Sequence, residues 1–122
     1  MTNQRMVEDL LQALIRVGSK ITSDKYILLV INTLIRDLRR EYEVFNYLKI
    51  VTTSHGFAQV INVSPEVNSI DNKSLGESLS VFIERLIGPA GLRGQESFGV
   101  ILEYEMGLDL VRSLKRLGVK IT

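Results

Sequence analysis

Apolar residues recur at helical spacing from the start of the chain. Met6, Val7, Leu10, Leu11, Leu14 and Ile15 share one face, and Arg5, Glu8, Asp9, Gln12 and Arg16 take the other. This pattern predicts an amphipathic helix ending at Gly18, the residue best suited to a left-handed stop. Ser23 and Asp24 supply the next start signal. Ile27, Leu28, Ile31, Leu34, Ile35, Leu38 and Tyr42 then predict a second helix over about 24–42. Its first half is apolar nearly all round, because Leu29 and Val30 add to the stripe. Its second half carries Arg36, Asp37, Arg39, Arg40 and Glu41.

From Phe45 to Val63 the texture changes to β-branched and aromatic residues, broken by Ser54, His55 and Gly56. A hairpin follows, with arms Phe45 to Thr53 and Phe57 to Val63 and both faces in need of cover. Ser64 to Lys73 reads as a polar loop. Ser74 with Glu77 fits a capping box, and Leu75, Leu79, Phe82, Ile83 and Leu86 define one helical face that stops at Gly88-Pro89. Phe98, Val100, Leu102 and Tyr104 alternate with Gly99, Ile101, Glu103 and Glu105, which predicts a strand. A competing helical stripe runs through Val100, Ile101, Tyr104, Leu108 and Val111. Leu110, Val111, Leu114 and Leu117 mark a last helix ending at Gly118, with Val119 to Thr122 as a short edge strand. The order α-α-β-β-α-β-α, with that final strand, predicts an α+β fold. It would be one two-layer domain over residues 1–122, with about four helices and a mainly antiparallel sheet.

Residues 10–22 (LLQALIRVGSKIT) and 110–122 (LVRSLKRLGVKIT) agree at seven of thirteen positions, an offset of 100. A helix stripe closed by Arg, Gly and then an extended Lys-Ile-Thr is a general way to stop a helix and enter a strand. The likeness therefore reads as convergence rather than duplication.

Composition narrows the chemistry. A chain of 122 residues without Cys has no disulfide scaffold, no thiol nucleophile and no thiolate zinc site, and its single His excludes His-pair metal motifs. Neither a metal nor a cofactor is expected. Net charge is +1 and no stretch of the chain forms a charged tail. The first residues, interrupted by Arg5, Glu8 and Asp9, lack a signal peptide's apolar run, and no apolar stretch approaches the roughly 20 residues that span a bilayer. A cytoplasmic protein with no membrane partner is expected.

Three function classes remain. Mean hydropathy is +0.13, and the apolar surface of the second helix and of both strands exceeds what one small core hides. This predicts a non-enzymatic homodimer acting as an interaction or regulatory module, with Ile27, Val30, Ile31 and Leu34 at the interface. A second reading is nucleic-acid binding. Glycines three apart in GPAGLRG let a backbone approach phosphate, with Arg93 beside it. Its binding residues would be Gly88, Gly91, Arg93 and Gly94 together with Arg36, Arg39 and Arg40, helped by Arg112, Lys115, Arg116 and Lys120. Leu86-Ile87-Gly88-Pro89-Ala90-Gly91 resembles the Gly-x-x-Gly loop of KH RNA-binding domains, which implies a clamp on a nucleic-acid backbone. It departs from that family in having no basic residue inside the loop and in placing Gly94 and Gly99 where the family continues as a helix. The third reading is a small enzyme in which His55 works with Glu103 or Glu105, two carboxylates that would share one strand face. No orienting carboxylate adjoins His55 in sequence, and no catalytic residue is assigned.

Overall fold

A computed structural model describes residues 1–52, 59–87 and 98–119. Among these residues five helices and one hairpin follow in the order α1 (Asn3–Ile21), α2 (Asp24–Leu38), β1 (Leu48–Thr52), β2 (Gln59–Val63), α3 (Asn72–Ile87), α4 (Phe98–Met106) and α5 (Leu108–Arg116). Two 3-10 turns, Glu43–Tyr47 and Pro65–Ser69, flank the hairpin. The expected α+β domain with a mainly antiparallel sheet is therefore corrected: the protein is mainly helical, and its described sheet has only two strands.

The central element is α1. Thr2 opens it by accepting the Arg5 amide at 3.1 Å. Beyond the expected stripe, Ala13, Val17 and Gly18 are also buried, which widens the hidden arc to more than half the helix. One side of α1 receives α2, whose far side meets α3. Elsewhere α1 packs against β2, α4 and α5. Gly18 lies within the helix, not at its end. A methyl there would overlap Cγ1 and Cδ1 of Ile27, so its missing side chain is what lets α2 approach. Helix α1 closes instead at Thr22, whose amide and hydroxyl both donate to the Gly18 carbonyl, at 2.8 and 2.7 Å.

Helix α2 begins on Ser23, which accepts the Tyr26 amide, and stops at Leu38 rather than Tyr42. The Glu41 and Tyr42 amides both return to the Leu38 carbonyl, and Arg39 Nε donates to the Phe45 carbonyl at 3.2 Å. That turn drives Phe45 into the core, against the ring of Phe82 at 5.6 Å between centroids and edge-on to Tyr42 at 6.3 Å.

In the hairpin, Leu48 pairs with Val63 and Ile50 with Ile61. Opposed residues share a face, so Leu48, Ile50, Ile61 and Val63 turn inward while Lys49, Val51 and Asn62 turn out. One covered face is enough, contrary to the expectation of two. The residues between the arms, His55 among them, lie outside the described residues.

Helix α3 buries all five residues of its expected stripe. Its cap, however, is Asp71 and not Ser74. One carboxylate oxygen accepts the Ser74 amide at 2.8 Å and the other accepts the Ser74 hydroxyl at 3.0 Å. These hydrogen bonds hold the Asp71 carboxyl below its ordinary range.

The largest departure is α4, expected as the third strand. Its side chains satisfy both a twofold and a helical period. The helix prevails physically because it satisfies its backbone internally, whereas a third strand needs a neighbour to pair with. Leu102 is fully buried, and Ile101 and Met106 are partly so. Gly107, at φ 80°, separates α4 from α5. The expected final strand is not formed at Val119. Its amide donates to Leu114 and the Gly118 amide to Lys115, completing a Schellman stop at Gly118, φ 81°. Residues 120–122 are outside the described set.

A candidate interaction surface on the fourth and fifth helices

Helix α4 contains Phe98, Val100, Ile101, Leu102, Tyr104 and Met106, so it is apolar nearly all round. A helix of this kind cannot hide every side against one neighbour. The face carrying Leu102 packs against α1, and the opposite face, with Val100 at 66% and Tyr104 at 86% exposure, meets solvent. Leu108, just past Gly107, extends the strip at 64% exposure. Among the described residues these are three of the seven large apolar side chains that stand exposed, gathered within nine positions. The competing helical spacing groups Val100, Tyr104 and Leu108 with Ile101 and Val111 and assigns the stripe no side. The period alone does not say which side is inside.

The α1 side of α4 is held by charge. Glu105 accepts from Lys20 Nζ at 2.9 Å and faces Arg16 Nε at 3.5 Å, while Arg16 also donates to the Glu105 carbonyl. Lys20, first by its hydrogen bond and then by its charge, holds the Glu105 carboxyl below the usual range, and Arg16 adds to this. Glu103 lies about 160° the other way round the helix, since each residue turns roughly 100° and two turn 200°. The two carboxylates therefore do not share a face, and the expected strand pairing of Glu103 with Glu105 is corrected. No metal-holding group of three or more His, Cys, Asp or Glu occurs among the described residues.

The outer face of α5 is basic. Leu110, Val111 and Leu114 are buried, which turns Leu108, Arg112, Lys115 and Arg116 outward with Asp109 beside them. None of these charged groups has an ion-pair partner among the described residues, and neither does Glu103.

The other residues singled out in the sequence are dispersed. Ile27 and Ile31 have no exposed surface, Leu34 is buried and Val30 is half-buried. They are covered within one chain by α1 and α3, so they offer no free face to a second copy. Arg36 pairs with its neighbour Asp37, Arg39 holds the Phe45 carbonyl and Arg40 is exposed. Gly88, Gly91, Arg93 and Gly94 lie outside the described residues, as does His55. The fold leaves an open groove of about 610 Å³ near the hairpin, bordered by Gln4, Glu8, Arg39, Tyr47, Lys49 and Glu66. Neither sign of charge predominates there. Its polar groups serve the fold: Gln4 Nε2 donates to the Val63 carbonyl at 2.7 Å, and the Tyr47 hydroxyl donates to Glu43 at 2.8 Å. That last bond raises the Tyr47 phenol above its ordinary range.

Known protein families, curated proteins and solved structures yield no match to this chain. No described helix is long and apolar enough to cross a membrane.

Proposed function

We propose that this protein is a self-associating interaction module, a homodimer whose contact is the outer face of α4 continued by Leu108. The observation that supports this reading is the exposed strip Val100, Tyr104 and Leu108, on a helix with hydrophobic residues on both its inner and outer sides. Large aromatic and aliphatic side chains left in water favour burial by about 25 cal/mol for each Å² covered. The same reading led from the sequence to α2; the covered state of Ile27 and Ile31 moves it to α4.

Light scattering tests it. The wild-type chain is expected to scatter as twice 13.8 kDa at micromolar concentration. Tyr104→Glu, which sets a charge at the centre of the strip, is expected to scatter as the protomer with unchanged circular dichroism. Leu29→Glu changes an apolar residue on α2 that is as exposed as Val100 and Leu108, and is expected to leave the dimer intact. A Tyr104→Glu chain that scatters like wild type overturns the assignment of the contact.

A further inference from the structure

The strip is flanked by charge of opposite sign on its two helices. Helix α4 carries Glu103 and Glu105 and no cation, while α5 carries Arg112, Lys115 and Arg116 against Asp109 alone. Only Gly107 separates them. Glu105 is already neutralised by Lys20 and Arg16, which leaves Glu103 as the acidic group flanking Val100 and Tyr104. Resting on the self-association reading, we propose that two copies dock antiparallel about a two-fold axis. The α4 of each lies on the α5 of the other, and Glu103 faces the partner's Arg112.

Two-fold symmetry makes this arrangement self-consistent, because any contact of residue i with residue j occurs twice. Stacking α4 on α4 would set Glu103 beside its own copy, and stacking α5 on α5 would bring two sets of three cations together. Both juxtapositions are repulsive. The antiparallel arrangement exchanges each like pair for an opposite one and brings Tyr104 and Val100 against Leu108 across the axis. The same polarity excludes the shifted registers that an uncharged apolar strip would tolerate. It also distinguishes a second copy from a polyanion, which α5 would attract but Glu103 would repel.

Charge exchange tests the arrangement by sedimentation. Glu103→Arg and Arg112→Glu, made separately, are each expected to weaken the homodimer by about tenfold or more. Both residues are solvent-facing or half-buried, so the folded protomer is expected to survive, as thermal unfolding would check. An equimolar mixture of the two variants is expected to form a heterodimer of near wild-type affinity, since residue 103 of each then faces an opposite charge at residue 112 of the other. The chain carrying both substitutions is expected to regain homodimerisation. A wild-type dimer that neither single variant weakens, or single variants that weaken it with no recovery on mixing, overturns the antiparallel arrangement while leaving self-association standing. A wild-type chain that stays monomeric at every concentration overturns both.

Discussion

Residues 10–22 and 110–122 agree at more than half their positions, yet their glycines do opposite work. Gly18 is helical and buried, and its lack of a side chain admits Ile27. Gly118 has positive φ with open space where a side chain would begin, and it ends α5. The next residue accounts for the difference. Continuing α5 would carry Val119 round to the solvent face beside Leu108 and Arg112, at roughly 100° per residue. Turning left-handed at Gly118 instead sends Val119 into the core, where 3% of it remains exposed. After Gly18 comes Ser19, a small polar residue that a continued helix leaves half-buried at the edge of the hidden arc, and the helix runs on to Ile21. A glycine two residues after an arginine is thus a permitted stop rather than an enforced one, and the side chain that follows decides.

The largest expected effect that separates the two segments is steric. Gly18→Ala should destabilise the protein by about 1–3 kcal/mol, the usual cost of overpacking a close contact. In an Ile27→Ala background most of that cost should disappear, since only the Cβ of residue 27, at 3.2 Å, still crowds the new methyl and Ala is the better helix former by up to ~1 kcal/mol. Denaturant unfolding of the four chains of that cycle measures the coupling. Next comes Gly118→Ala, expected to cost about 1–2 kcal/mol through left-handed backbone alone. Gly118→Asn should cost less, and Ile27→Ala should relieve neither. Equal relief at both glycines would erase the distinction.

The smallest effect lies beyond Gly18, where the continued helix brings Lys20 to Glu105. Because the folded carboxyl titrates below its unfolded value, its contribution is present above the ordinary glutamate range, near pH 4.3. That contribution is lost as the pH falls through the lower folded value. Glu105→Gln should therefore flatten part of the acid side of the stability profile and barely alter neutral stability, as suits an exposed pair. Asp71, lowered by Ser74, should supply the acid dependence that remains.

Much of the helical frame was legible in the sequence because its stripes are one-sided. Leu75, Leu79, Phe82, Ile83 and Leu86 have one period and one hidden face. Phe98 to Met106 was not, since apolar residues on several sides fit a strand and a helix equally and do not reveal which side is covered. The covering of Ile27 and Ile31 was illegible for a related reason. Ile27 and Ile31 looked surplus because α3, which covers α2 from the far side, comes more than thirty residues later and its docking cannot be read from periodicity. Asp71 is masked as a cap in the sequence because Ser74 with Glu77 has the more familiar spacing, although it is Asp71 that accepts the Ser74 amide.

Sedimentation equilibrium of the unaltered chain, from low micromolar to near-millimolar concentration, tests the central claim most directly. The exposed strip on α4 predicts a mass that climbs from 13.8 kDa and levels at twice that value. A mass fixed at 13.8 kDa throughout would contradict it, and Val100, Tyr104 and Leu108 would then be apolar residues that this protein leaves in water.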